Sequence, residues 1–188
     1  YVLTVKSSKH KNKNAALLYC IDSHAYTQIK SVPGYDWIKF DQIAWYRNQS
    51  KEFTKQNNDI PLPALAFFHI PIPEYKDAVM EDKNRLFGVR GEGVACPTTN
   101  SGLFTSISEC GDVMGTFVGH DHNNDYAVMY KEVLLAYGRY SGGNTVYNNL
   151  ANGARVIILQ EGERKFDSYI RLAGGEIESR ISYPGSFN

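Results

Sequence analysis

Two apolar runs constrain this chain more than anything else in it, because each has the length of a strand and each leads directly to histidine. Residues 63–69 (PALAFFH) are nearly all apolar or aromatic, and a run this short favours a buried strand over a helix. Residues 113–118 (VMGTFV) read the same way and pass straight into Gly119-His120-Asp121-His122. A chain with two such strands must build a sheet to bury them, and three of its five histidines then sit at strand ends.

The neighbouring segments supply more of that sheet. Residues 2–5 and 15–21 read as strands, joined by an exposed loop over 7–14 that carries Lys9, Lys11 and Lys13. After a Pro33-Gly34 turn, residues 39–57 read as a helix, with Phe40, Ile43, Ala44, Tyr46 and Phe53 loosely following a 3.6-residue period. Residues 70–97 are broken by prolines and glycines and read as one long loop, the kind that often carries function. Ser101 is placed to cap a helix over 102–110, with Gly111 as its stop. Hairpins are expected around Lys131-Glu132 (strands 126–130 and 133–137) and around Glu161-Gly162 (strands 155–160 and 165–172). Residues 174–188, with Gly and Pro, read as an irregular tail. Strands, helix, strand, helix, strands in that order fit a mixed α/β or α+β layer: a mixed sheet with flanking helices.

Twenty basic and twenty acidic side chains cancel, with a pI near 7.1. That balance speaks against a nucleic-acid partner, which needs a basic footprint, and against an anionic membrane surface. No apolar run approaches the roughly 18 residues of a membrane helix, and 43% hydrophobic with 21% charged residues marks a globular chain. The 188 residues suffice for one domain or part of a larger one. Because the chain opens at Tyr1 within a strand and without an initiator Met, it is expected to be the C-terminal part of a longer protein.

On a strand, residues two apart share a face, so His120 and His122 can address one locus, and a neutral imidazole is the commonest transition-metal ligand. Gly119 allows a tight turn or the close approach of another group. A third ligand must come from elsewhere, and His69 ends the other strongly buried strand. By itself the HxH spacing also suits ordinary polar residues at a strand exit. An HxHxDH pattern fails because Asn124 and Asp125 stand where Asp and His are needed, and no HExxH helix occurs. Asp22-Ser23-His24 reads as a strand-end Asp bonding backbone, with His24 exposed. No GxSxG surrounds Ser23 or Ser101, Cys96 has the context of a structural thiol, and Cys20, Cys96 and Cys110 form no disulfide framework. Residues 88–93 (GVRGEG) match no phosphate loop, although Arg90 and Glu92 are candidates to line a pocket.

Taken together, residues 65–74 (LAFFHIPIPE), 88–93 (GVRGEG) with 100–104 (NSGLF), and 117–125 (FVGHDHNND) resemble the C-terminal half of calcineurin-like metallophosphoesterases, in the purple acid phosphatase-like branch. Residues 17–23 (LLYCIDS) and 42–45 (QIAW) are similar to that branch as well, so the resemblance spans roughly 17–143. It implies the C-terminal portion of a four-layer αββα sandwich, formed by the whole chain, with two divalent or transition-metal ions of the manganese, iron or zinc kind at the strand ends. By that resemblance His69 and His120 bind one ion and His122 the other, with Asp121 or Asp125 as candidate partners for the ligand imidazoles. The 138–143 loop (GRYSGG), through Arg139 and Tyr140, then borders the substrate, a phosphate-ester small molecule or a phosphoprotein, with Arg90 a further candidate.

The family's first-half motifs (D-x-H, then GD, then GNH) do not occur here in that order. They carry the remaining ligands and the catalytic histidine, so no catalytic residue is identifiable in this chain, and little turnover is expected from it alone. The missing half is then expected to be a partner, and an uncovered apolar sheet face is expected to bind it or to pair with a second copy. The alternative is a non-catalytic binding domain on a decayed phosphoesterase scaffold.

Overall fold

The apolar runs pair side by side at the centre of a sheet, where both of their faces are covered. The computed structural model of the chain describes residues 1–81, 85–142 and 149–188. Strands β1 (Val2–Lys6) and β2 (Asn14–Cys20) form an antiparallel hairpin, and helix α1 (Phe40–Gln56) leads to β3 (Ala64–Phe67). Helix α2 (Glu74–Met80), the two-residue β4 (Leu86–Phe87) and helix α3 (Leu103–Cys110) precede β5 (Val113–Val118). The hairpin β6 (Ala127–Tyr130) and β7 (Val133–Tyr137) follows, and β8 (Gly153–Leu159), β9 (Phe166–Leu172) and β10 (Ile177–Tyr183) close the chain. Seven strands form one sheet in the order β1-β2-β3-β5-β7-β6-β4, and the last three form a second in the order β10-β9-β8.

Alternation along the central strands sends side chains to opposite faces. On one face Leu17, Ala66 and Leu135 meet Ile43 and Tyr46 of α1, Tyr75 of α2 and Ile107 of α3. On the other, Leu65, Phe117 and Leu134 meet Phe166 and Ile181 of the small sheet. The layers run helices, large sheet, small sheet, a mixed α/β architecture consistent with the C-terminal part of a metallophosphoesterase sandwich. Complete burial of a side chain such as Phe166 contributes about 1.5–3 kcal/mol. Asp112, at the foot of β5, is also buried; it accepts hydrogen bonds from the hydroxyls of Tyr19 (2.8 Å) and Tyr46 (2.6 Å), tying β2 and α1 to that strand.

Several expectations are corrected. Residues 70–97 are not one loop: α2 lies within them, started by Pro73 where a missing N–H costs nothing. Tyr75 and Ala78 fix it to the core, and the Tyr75 hydroxyl donates to the Thr116 carbonyl at 3.0 Å. The 174–188 segment is not irregular either, because β10 pairs antiparallel with β9. Helix α3 is preceded by Gly102 at φ 84° rather than capped by Ser101; the Asn100 carboxamide accepts from the Gly102 N–H instead. Gly111 does stop the helix, at φ 67°. The inner face of the large sheet is covered only in part: β8, β9 and β10 pack on much of it and leave an opening lined by Phe67, Phe117 and Ile157.

Candidate metal centre

Strands β2, β3, β5 and β7 run parallel, so their carboxyl ends share one edge of the sheet, the edge at which open α/β sheets hold ligands. The backbone ladder continues past the strands. Phe68 N–H donates to the Phe117 carbonyl (3.2 Å), Gly119 N–H to that of His69 (3.1 Å), and Gly138 N–H to that of Val118 (2.7 Å). This registration sets His69 beside Gly119, where an added Cβ would stand 3.3 Å from His69 Nδ1. The close approach that Gly119 permits is that of the His69 ring.

His120 adopts φ 73°, a left-handed conformation uncommon outside glycine, and Asp121 N–H closes the turn onto the Gly119 carbonyl at 2.9 Å. The turn brings His120 Nδ1 to 3.3 Å from His69 Nε2, with the rings 5.1 Å apart and nearly perpendicular. Two nitrogens each about 2.0–2.1 Å from a tetrahedral ion are themselves about 3.3 Å apart, so the pair has the spacing of two ligands to one metal. Burial lowers the His120 pKa from its ordinary value, and the neighbouring His69 and His122 lower it further against the opposing pull of Asp121. The neutral ring is the ligating form.

His122 faces elsewhere: its ring stacks on Tyr140, centroids 5.5 Å apart. Among the described residues no three His, Cys, Asp or Glu side chains form one metal-binding group. All three histidines nevertheless line one open cleft of about 320 Å³, together with Asp121, Arg139, Tyr140 and Gly142. Gly143, the last residue of the expected substrate loop, lies outside the described residues.

The two aspartates hold loops and not imidazoles. The buried Asp121 carboxylate accepts from the Tyr137 hydroxyl (2.6 Å) and Ala95 N–H (3.2 Å), and burial raises its pKa. Asp125, fully buried, pairs with Arg139, whose Nε donates to it at 2.8 Å. Arg139 Nη1 donates to the Ala151 carbonyl and Nη2 to Asp125 and Glu178, so it stands at the cleft with every guanidinium nitrogen already holding a protein acceptor. Arg90 is exposed and bridges Asn124 through its backbone; neither it nor Glu92 lines the cleft. Gly88 and Gly91 serve close packing: a Cβ at Gly88 would meet the Asp125 carboxylate at 2.8 Å and one at Gly91 the Asn123 carbonyl at 2.7 Å. The Asp22 carboxylate accepts from the His24 N–H, and His24 is exposed, as expected.

Two participants escape sequence reasoning. Arg155, from β8, donates from Nε to the Tyr137 carbonyl (2.6 Å) and from Nη2 to that of Asp125, bracing the site from below, and burial pulls its pKa down to about 10. The Tyr35 ring packs perpendicular to that of His120, centroids 4.6 Å apart. Arg155 reads as an ordinary strand residue and Tyr35 lies in a loop without a motif, so neither carries a local signal.

No family model matches the chain. It is 42% identical over 137 residues to "Probable inactive purple acid phosphatase 29" of Arabidopsis thaliana, covering 70% of this chain and 35% of that protein. It is 35% identical over 155 residues to "Probable inactive purple acid phosphatase 14" of the same plant, covering 79% and 38%. With "Phosphatase DCR2" of Saccharomyces cerevisiae it shares 31% identity over 192 residues, covering 95% of this chain and 32% of that protein. The chain thus spans about a third of the length of these relatives. With relatives of one kind matching most of its length and a mixed sheet consistent with their fold, the chain belongs to the purple acid phosphatase-like branch of the calcineurin-like metallophosphoesterases, as part of their C-terminal region.

Proposed function

We propose that this chain supplies part of the active site of a metal-dependent phosphoesterase, one that hydrolyses phosphate mono- or diesters when the full-length protein holds two metal ions. The observation that carries the reading is the 3.3 Å approach of His69 Nε2 and His120 Nδ1 in an open cleft at the strand ends. These two nitrogens hold one ion, of the manganese, iron or zinc kind, and His122 serves the other. Bound metal would polarise the phosphoryl group and generate the water nucleophile. The chain's own contribution is positional. The ladder through Gly119 fixes His69, the Asp121 turn held by Tyr137 and Ala95 fixes His120, and Tyr140 backs the His122 ring.

Arg139 is assigned to holding Asp125 rather than phosphate, because its nitrogens are committed. The D-x-H, GD and GNH motifs do not occur in that order in these residues, so the isolated chain is proposed to turn over little substrate. The rest of the full-length protein is proposed to cover the remaining opening between the sheets, lined by Phe67, Phe117, Val118, Ala154 and Ile157.

A second reading, a non-catalytic binding domain, draws on three relatives named as probable inactive phosphatases; a fourth is named as a phosphatase. Hydrolysis of 4-nitrophenyl phosphate or bis(4-nitrophenyl) phosphate by the metal-loaded full-length protein separates the two. Turnover that His120→Ala abolishes supports the enzyme; metal binding without turnover supports the binding domain.

A further inference from the structure

An aromatic flank extends from the histidine pair to solvent, and metal ligation does not account for it. Residues 21–39, between β2 and α1, fold back as a small hairpin in which Tyr26 and Tyr35 form an antiparallel bridge. Thr27 N–H donates to the Gly34 carbonyl and Asp36 N–H to that of Ala25, both at 3.1 Å, around a turn with Gly34 at φ 111°. Asp36, itself buried, anchors the hairpin's return by accepting from Trp37 N–H (3.0 Å) and from Lys39. On this frame the rings of Tyr26 and Tyr35 stack, 5.4 Å apart and 20° from parallel, while the Tyr35 and His120 rings meet at right angles. His120, Tyr35 and Tyr26 therefore form a continuous series of rings leading outward from the site.

Tyr35 is half-buried, and shielding His120 accounts for its position. Tyr26 is different: its side chain leaves 67% of its surface in water while a backbone bridge holds it in place. A fixed aromatic ring with an open face beside a phosphate-binding edge is a stacking platform, and stacking tolerates any planar ring with a π-face.

We propose that Tyr26 and Tyr35 select the leaving group, favouring phosphate esters that carry a planar aromatic ring over aliphatic esters. The inference rests on the phosphoesterase reading above. An aryl phosphate, with its ring next to the ester oxygen, reaches Tyr35. A nucleoside monophosphate, with a ribose between phosphate and base, reaches the outer face of Tyr26.

The test uses the full-length, metal-loaded protein and compares kcat/KM for phenyl phosphate, adenosine 5′-monophosphate and glycerol 3-phosphate. A preference for either ring-bearing ester over glycerol 3-phosphate is expected, and which one leads distinguishes the two sources. If the nucleotide leads, Tyr26→Ala lowers its preference about tenfold, the loss of one stacking contact, while Tyr26→Phe retains it. If phenyl phosphate leads, Tyr35→Leu lowers its preference by a similar factor and Tyr35→Phe retains it. Equal turnover of all three esters, or a preference that survives loss of the corresponding ring, overturns the inference and leaves the phosphoesterase reading standing. Hydrolysis of the diester bis(4-nitrophenyl) phosphate alone overturns the inference and leaves that reading standing, and failure to hydrolyse any of the four overturns both together.

Discussion

Asp125 has no exposed surface, and Arg139 gives its carboxylate a counter-charge while Val89 N–H donates to it at 2.6 Å. Removing one member of a buried pair leaves the other uncompensated, so Arg139→Met is expected to destabilise the fold by about 3–5 kcal/mol. Denaturant unfolding checks this; an unchanged midpoint would show that Asp125 finds another partner. Gly119 tests geometry instead of charge. Gly119→Ala places a methyl 3.3 Å from the His69 ring, and a displaced ligand is expected to weaken metal binding about 10–100-fold with the fold retained. Calorimetric titration of metal into the full-length variant reads that loss, and native affinity contradicts the crowding argument. At this scale the histidines were legible because strand-length apolar runs lead to them and the spacing of His120 and His122 is explicit. The left-handed turn that swings His120 toward His69, and the separate stacking of His122 on Tyr140, were not legible, because the first depends on backbone angles and the second on a ring from the loop after β7.

At the scale of elements, Glu161 in the β8–β9 turn reaches across to the β1–β2 loop. Its carboxylate accepts from the Ser7 and Ser8 hydroxyls and from Ser8 N–H (3.1 Å), and these bonds pull its pKa down to about 2. A lowered carboxylate pKa adds stability that is fully present above the ordinary value of 4.5 and is lost as pH falls toward 2. Glu161→Gln is therefore expected to lower stability at neutral pH and to flatten its decline across that acid window. Urea unfolding at neutral pH and at about pH 3 measures it, and an equally steep decline in the variant contradicts the assignment. The hairpins and α1 were legible from turn residues and periodicity, down to the Lys131-Glu132 turn, where both residues take positive φ without glycine. Helix α2 was hidden because seven residues between prolines and glycines show too little period to read. Strand β10 was hidden because only Ile181 of its seven residues is buried, so a largely polar sequence is ordered by pairing with β9 and by the packing of Ile181 and Tyr183.

At the scale of the molecule, the small sheet covers much of the inner face of the large one, but a cleft of about 530 Å³ remains between them, lined by Phe67, Phe117, Val118 and Ile157. Tyr1 also borders it, and β1 nearby leaves Leu3 and Val5 exposed. An apolar opening of this kind favours association, so the isolated 188-residue chain is expected to dimerise with rising concentration in sedimentation, and a monomer throughout would count against an unfilled interface. The layered fold was legible from element order, whereas the packing of β8, β9 and β10 on the central strands was not, since no local pattern says which sheet a late hairpin joins. The account turns on His69 and His120 sharing one metal ion. The most direct measurement is the metal content of the purified full-length protein, native and His120→Ala, by elemental analysis with circular dichroism as the check on folding. The account predicts about two ions per native chain and the loss of one in the folded variant; the same metal content in both would contradict it.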